Sequence, residues 1–178
     1  QMNSKFRHAL FWLVVASVSL SGPVAGQVVA QQTEAPVATA ESTIRELYEL
    51  IGAGPGEVPD WNPVRALFLP EAVIVLRSSR DALSVLSLDG FIQDFDNFYA
   101  TPQVQESGFE EEILELKSTE FGDMAQVWVL YEARIPGVGG NRGLDNFSLI
   151  RRAGSWSVSA ITNEVVLPSA PVPEDLFE

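Results

Sequence analysis

The chain has 178 residues, with 24 acidic against 11 basic side chains and no cysteine. This length suits one domain with terminal extensions. The formal net charge of −13 argues against nucleic acid and anionic membrane surfaces as partners. The one histidine, His8, lies in the N-terminal segment. A mature chain without that segment therefore lacks the groups for Ser–His–Asp or Cys–His catalysis, for a zinc or haem–His site and for a disulfide framework.

Residues 1–30 have the pattern of a secretory signal peptide. A short basic region precedes an apolar run from Ala9 to Leu20, and small, helix-breaking residues follow it. The run is shorter than the roughly 20 apolar residues that a membrane-spanning helix needs. An uncleaved anchor is the alternative interpretation. We expect cleavage after Gly26 or, in preference, after Ala30, a periplasmic or secreted product, and no stable membrane anchor after cleavage.

The rest of the chain divides into a leader, one domain and a tail. Residues 31–41 are small and polar and predict a flexible leader. Residues 167–178 predict a proline-rich acidic tail. Residues 42–166 predict a single domain, because no internal repeat or second composition break divides them.

Two helices are predicted at the start of this domain. Apolar residues recur at helical spacing from Ile44 to Ile51, after Ser42 or Thr43, either of which can cap the helix. Gly and Pro residues end it. A second, short helix is predicted with Asn62 as its cap, and Pro70 stops it.

A strand and a third helix follow. Residues Ala72 to Ser79 predict the strand, and the helix is expected from about Leu88. Phe91, Phe95 and Phe98 recur at helical spacing, which is typical of core packing.

From Gly108 onward the apolar pattern changes to a period of two, which predicts four strands. The first pair turns at Gly122–Asp123 and the second at Ala153–Gly154, with a flexible loop at residues 136–143 between the pairs. The order of elements predicts an α+β domain: a cone-shaped, curved and mostly antiparallel sheet with about three N-terminal helices packed on its concave face. Such a sheet leaves a cavity for small ligands between that face and the helices.

Three segments resemble the nuclear transport factor 2-like, or SnoaL-like, superfamily, whose fold is cystatin-like. They are "WNPVRALFLPEAVIV", "EFGDMAQVWVLYEAR" and "GLDNFSLIRRAGSWSVSAI". The resemblance runs from about Glu41 to Glu164 and is closest to uncharacterised secreted members. It implies a cavity-forming fold but no single reaction, because the superfamily includes isomerases, dehydratases, cyclases, carriers and interaction modules. Its enzymes usually use acidic residues helped by His or Tyr, whereas this chain has Asn163 where many relatives have an aromatic residue or His.

The last hairpin supplies the first candidate acid. Placing Arg151 opposite Trp156 puts Asp145 opposite Thr162, on the apolar face and near the cavity mouth. A one-residue slip would reverse this assignment. A carboxylate beside apolar walls has a raised pKa and can act as a general acid or base, so Asp145 is a catalytic candidate, with Asn163 as its neighbour. A solvated Asp at a strand end is the alternative.

The strand after Gly122–Asp123 supplies the second candidate acid, Glu132. Glu132 and Arg134 share one face with Trp128, and Tyr131 lies on the other. The sequence leaves open which face lines the cavity. If it is the first, Glu132 is also a catalytic candidate. Otherwise Glu132 and Arg134 form an exposed ion pair of small energetic value.

The helices supply three further candidates, Tyr48, Trp61 and Phe98, which either pack in the core or cover the cavity.

The run Glu110 to Glu112 is predicted to be a solvated strand start and not a cation site, because it lacks calcium-loop spacing. The predicted ligand-binding set comprises Tyr48, Trp61, Phe98, Trp128, Tyr131, Asp145, Thr162 and Asn163.

Three functions remain open. We first expect a secreted or periplasmic domain that binds a small apolar ligand or a partner through its cavity or sheet. The second is a cofactor-free isomerase, cyclase or dehydratase that uses Asp145 or Glu132. The third is a homodimerisation module that pairs through the outer sheet face. No cofactor and no metal are predicted. The outer face of the last hairpin is expected to carry Ser148, Ile150, Ser157, Ser159 and Ile161.

Overall fold

The computed structural model describes residues 38–79 and 82–178. The predicted signal peptide and most of the predicted leader lie outside these residues. No helix in the described part of the chain is long and apolar enough to cross a membrane.

The described residues form four helices, one more than predicted for the domain. The first begins before its predicted cap, because Thr39 and Ser42 cap each other: the Thr39 Oγ1 accepts the Ser42 N–H at 3.0 Å, and the Ser42 Oγ accepts the Thr39 N–H at 2.9 Å. The prediction of Ser42 or Thr43 as cap was therefore wrong. The second begins after Asp60, whose side chain accepts the Asn62 N–H. The helices are α1 (Ala40–Ile51), α2 (Trp61–Ala66), α3 (Leu88–Tyr99) and α4 (Pro102–Ser107).

Six strands form one mixed sheet in the order β2-β1-β6-β5-β4-β3. β1 runs parallel to β6, and every other neighbouring pair is antiparallel. The strands are β1 (Phe68–Ser79), β2 (Ala82–Ser87), β3 (Glu110–Phe121), β4 (Met124–Ile135), β5 (Gly139–Arg152) and β6 (Ser155–Val165). The α+β fold with a curved, mostly antiparallel sheet is confirmed.

The sheet differs from the prediction at three places. β2 was not predicted; it is an edge strand whose side chains are nearly all exposed, so it lacks a strong apolar alternation. β1 begins four residues early and includes Pro70, which a central strand rarely tolerates; the pairing with β6 shifts register around it. β5 begins at Gly139, inside the predicted loop, where it pairs with the end of β4.

The core lies between α1, α2, α3 and the inner face of the sheet. Side chains alternate across each strand, so β4 directs Ala125, Val127 and Val129 inward, and all three are buried. The apolar stripe of α1 packs against them. Tyr99 on α3 is buried as well, and its hydroxyl donates to the Ile51 carbonyl oxygen at 2.6 Å. This hydrogen bond joins the end of α1 to the end of α3.

Candidate functional site

The last hairpin contains a β-bulge that determines which residues reach the concave face. Near its turn, Arg151 pairs with Trp156 and Leu149 with Val158, as predicted. The register then shifts by one residue between Ser148 and Leu149. A bulge inserts one unpaired residue into one strand, so all pairings beyond this point differ by one from the prediction.

The bulge places Asn163, not Thr162, beside Asp145. Asp145 pairs with Asn163 across β5 and β6, and the Asn163 side chain is buried. Thr162 is exposed and pairs with Asn146, so its assignment to the cavity was wrong. The same shift turns Ile161 inward, where it is 3% exposed, and its assignment to the outer face was also wrong.

The pairing also determines which face of β4 lines the cavity. Tyr131 lies on the inner face with Val127 and Val129, and Trp128 therefore lies on the outer face, so it is not a cavity residue. Glu132 is likewise outside: it pairs with Arg134, with Nη1 and Oε2 3.1 Å apart. Both line an open surface groove of about 550 Å³ beside the turn at residues 136–138, so Glu132 is not a cavity acid.

A hydrogen-bonded network joins three elements at one end of the cavity. The Tyr48 hydroxyl, from α1, donates to Asp145 Oδ2 at 2.7 Å. The Asn163 amide donates to Asp145 Oδ1 at 2.7 Å and to the Tyr131 hydroxyl at 2.9 Å. Because Tyr131 accepts this bond, its own hydroxyl proton remains to be donated elsewhere. The network thus gives each oxygen of the Asp145 carboxyl one hydrogen bond and leaves the hydroxyl proton of Tyr131 available for another acceptor.

Gly143 makes this network sterically possible. It lies between Tyr131 on β4 and Val165 on β6, in directly paired positions. A Cβ at this position would overlap the Tyr131 ring, with Cε1 only 2.5 Å away. The absence of a side chain lets the Tyr131 ring lie across β5, and its hydroxyl thereby reaches Asn163 on the next strand.

Burial raises the pKa of two carboxyls in this region. Desolvation raises the pKa of Asp145 to about 6, against the hydrogen bonds from Asn163 and Tyr48, which lower it. Desolvation also raises the pKa of Glu111 to about 8, with a second contribution from the charge of Asp145. The same two effects raise the pKa of Tyr131 above its usual range. The site therefore holds two acids that titrate near neutral pH.

Glu111 is the residue that sequence reasoning missed. It is the middle of the run that was predicted to be solvated, and its neighbours Glu110 and Glu112 are indeed exposed. The alternation of side chains along β3 could have identified it. Phe109, Glu111 and Ile113 share one face of the strand, and the two apolar residues pack in the core. The carboxyl of Glu111 forms no hydrogen bond or ion pair with another described side chain.

These groups open into one cavity of about 450 Å³ between the helices and the inner sheet face. Of the aromatic residues predicted from the helices, Tyr48 and Phe98 line this cavity. Trp61 does not: its Nε1 donates to Asp96 Oδ1 at 2.7 Å, and its ring packs on Phe95. No cluster of three potential metal ligands occurs among residues 38–79 and 82–178. Glu111, Asp145 and Asn163 lie at its polar end, and Arg77 and Asp94 also line it. The aromatic side chains in its wall are Tyr48, Phe91, Phe95, Phe98, Phe109, Tyr131 and Phe147.

No family model and no curated protein matches the chain. Several solved structures are similar to the chain. The S. rosetta CaMKII hub is 16% identical with a TM-score of 0.58, over 74% of this chain and 98% of the hub. A putative dehydratase from the NTF2-like family of Streptomyces avermitilis is 14% identical with a TM-score of 0.54, over 70% and 92%.

A third similar structure, an uncharacterised protein with a cystatin-like fold from Caulobacter vibrioides, is 13% identical with a TM-score of 0.52, over 72% of this chain and 88% of that one. At these identities the similarity concerns the fold, and it agrees with the element order and the helix-covered sheet described above. The resemblance seen in the sequence is confirmed at this level: the chain has the fold of the NTF2-like superfamily.

Proposed function

We propose that this domain binds a small molecule in the cavity between its helices and the inner sheet face, and that it does so as a secreted or periplasmic protein. The observation that carries the proposal is the cavity itself. Its volume of about 450 Å³ falls within the range of small-molecule sites, and its own side chains leave it unfilled. Apolar walls with a few convergent polar groups are the usual composition of such sites.

The polar end supports an oriented ligand. Tyr131 has a hydroxyl proton to donate, and the Glu111 carboxyl has no partner among the described side chains. A polar group enclosed without a partner is unfavourable, so a ligand that satisfies both would gain the bonds they lack. Aromatic walls would hold the apolar part of the same ligand.

Titration with a neutral apolar probe tests this function. With 4-phenylbutan-1-ol and ¹⁵N-labelled protein, we expect saturable amide shifts at cavity residues such as Tyr131 and Asp145. Ala133→Phe, which fills the cavity from β4, should weaken binding at least tenfold. Trp128→Phe, on the outer face of the same strand, is the matched control and should leave it unchanged. Shifts confined to the outer face, or none, would reject the cavity as a binding site.

A cofactor-free enzyme is the second candidate, and the paired acids favour it. At pH 7 Asp145, with its pKa of about 6, is mostly ionised, and Glu111, with its pKa of about 8, is mostly protonated. A base and an acid in one cavity can remove a proton next to a carbonyl and protonate the carbonyl oxygen. The dehydratase assignment of the Streptomyces structure is compatible with this chemistry.

Isotope exchange tests the enzymatic candidate. We expect the protein to accelerate deuterium incorporation at the α-carbons of 4-phenylbutan-2-one in D₂O, with Asp145 as the base. Asp145→Asn should abolish the acceleration, whereas Asp123→Asn, in an exposed turn, should not affect it. Exchange at the uncatalysed rate with the wild type would leave binding as the function.

A homodimer through the outer sheet face is the proposed assembly. This face exposes apolar side chains that a monomer would leave in water, including Val73 at 47% and Val85 at 67% exposure. A hub domain and a yeast UBP3-associated protein share the fold, which is compatible with partner binding through such a domain.

A further inference from the structure

We propose that the cavity takes a small organic cation: an amine whose ammonium group lies at the carboxyls of Glu111 and Asp145 and whose apolar part packs on the aromatic walls. The proposal rests on the proposed cavity-binding function and names the class of ligand.

Among the described residues, no cation forms an ion pair with the two acids at the polar end. Asp145 accepts one hydrogen bond at each oxygen and retains further acceptor capacity, and Glu111 has all of its capacity left. Arg77 is the one cationic residue among the described cavity-lining residues, and its Nε lies 2.9 Å from Glu164 Oε2, an ion pair of its own. An ammonium group supplies three donors and the missing positive charge together.

The walls suit the rest of such a ligand. The Tyr48 and Tyr131 rings, with centroids 5.8 Å apart, flank the network, and Phe95 and Phe98 continue the wall along α3. A cation within about 6 Å of a ring centroid is attracted by the ring quadrupole, most strongly where water is excluded. The alkyl or aryl part of an amine gains by contact with the same rings. An aromatic cavity whose acids form no ion pair with a described side chain therefore favours a cation with an apolar body.

An anionic ligand fits this cavity poorly. Its carboxylate or phosphate would approach Asp145 and Glu111 and also Asp94, which lines the cavity from α3. Like charges in a partly desolvated site repel strongly, because the local dielectric constant is lower than in water. A neutral alcohol avoids this repulsion but offers no charge to the acids. The three chemistries should therefore differ in affinity in a fixed order: amine, alcohol, carboxylate.

The amine should also displace a proton, which gives its binding a pH dependence. The groups that face Glu111 come from several elements: Tyr48 on α1, Tyr99 on α3, Tyr131 on β4 and Asp145 on β5. None of them is cationic. Because an ammonium stabilises the carboxylate of Glu111, its binding near pH 7 should release close to one proton from that group. Affinity should rise between pH 6 and pH 8, where a primary alkylamine remains protonated.

Three probes of matched shape test the proposal: 4-phenylbutylamine, 4-phenylbutan-1-ol and 4-phenylbutyrate, titrated calorimetrically at pH 6 and pH 8 in buffers of different ionisation enthalpy. At pH 8 we expect the amine to bind at least tenfold more tightly than the alcohol and the carboxylate more weakly than both. Glu111→Gln, which preserves shape, should reduce the preference for the amine to less than about threefold and abolish proton release. Glu112→Gln, on the exposed face of β3, should preserve both.

The outcomes distinguish a failure of the cation assignment from a failure of the proposed cavity-binding function on which it rests. If the alcohol binds as tightly as the amine in the wild type, the cavity is a ligand site but the cation assignment is wrong. If the preference for the amine persists in Glu111→Gln and in Asp145→Asn, the amine binds to surface acids and the assignment is again wrong. If none of the three probes binds, the proposed cavity function fails together with it.

Discussion

Replacing Gly143 by alanine should disrupt the Tyr131–Asn163 contact without altering any group of the network directly. The new methyl would overlap the Tyr131 ring, whose Cε1 would lie 2.5 Å from it. Gly143 is central in β5 and has β4 and β6 on its two sides, so its backbone has little freedom to move away. We therefore expect the Tyr131 ring to tilt toward the cavity and its bond with Asn163, 2.9 Å long, to break.

The expected cost follows from three contributions. Overpacking a core typically costs about 1–3 kcal/mol. The lost hydrogen bond adds about 0.5–1.5 kcal/mol. Alanine regains roughly 0.5–1 kcal/mol of the conformational entropy that glycine loses in a strand. Steric overlap is the largest of these terms, so the free energy of unfolding should fall by about 1–3 kcal/mol.

Urea unfolding, followed by the fluorescence of the buried Trp156, measures this change. Gly90→Ala in α3 is the matched control, because its new Cβ would have no neighbour closer than 3.5 Å. That variant should be more stable than wild type by about 0.5–1 kcal/mol, as expected for a helical position.

A double-mutant cycle with Tyr131→Ala identifies the cause. If the methyl acts on the ring, Gly143→Ala should cost far less once the ring is absent, with a coupling of about 1–3 kcal/mol. Equal costs in the two backgrounds would refute the reasoning and place the effect in the backbone of β5.

Three further predictions concern charge and assembly. Tyr48→Phe removes a hydrogen bond that lowers the pKa of Asp145; that pKa, followed by carboxyl ¹³C shifts, should rise above about 6, and a fall or no change would contradict the assigned bond. The pKa of Glu111 is about 8 in the folded chain against 4.5 as the reference, so the unfolded state loses this proton first and stability falls as pH rises through this interval. By linkage the Glu111 share of the loss from pH 5.5 to pH 8.5 is roughly 3 kcal/mol. When urea unfolding is measured at both pH values, the loss should persist in Glu112→Gln and should shrink in Glu111→Gln to the smaller share of Asp145, whose pKa is about 6. Light scattering should give a mass of two chains for wild type and one for Trp128→Glu on the outer sheet face; a wild-type monomer at high concentration would reject the dimer.

The closing hairpin shows how far sequence reasoning reaches for this fold. The Ala153–Gly154 turn was predicted, and it fixed the correct pairing of Arg151 with Trp156. Both turn residues have positive φ, 51° and 88°, as two-residue hairpin turns require. The bulge beyond Leu149 was not predicted, because no Gly or Pro marks it and apolar residues continue on both sides. One extra residue was enough to exchange Thr162 for Asn163 in the site.

The acids illustrate a second limit. Asp145 was found because it lies at the polar end of an apolar face, a position that alternation alone identifies. Glu111 was missed because its two acidic neighbours suggested that the whole run is solvated. Distinguishing these cases requires knowledge of which strand face the helices cover, and that depends on tertiary packing, not on local pattern. The same ambiguity left Glu132 and Tyr131 undecided until β4 was placed in the sheet.

The energetics of Glu111 distinguish a binding site from a packed core. A leucine of similar reach at this position would bury apolar area against Ile113 and the aromatic wall and would lose nothing on desolvation. The carboxyl is instead largely desolvated without gaining a described side-chain partner; this desolvation, with the charge of Asp145 as the second cause, raises its pKa to about 8. Structural ion pairs also perturb pKa values, but they do so through a partner of opposite charge, which the causes found for Glu111 do not include. Glu111 thus faces an unfilled cavity, and no described side chain offsets the cost of its desolvation. A site for a proton donor or a cation requires an acid of this kind.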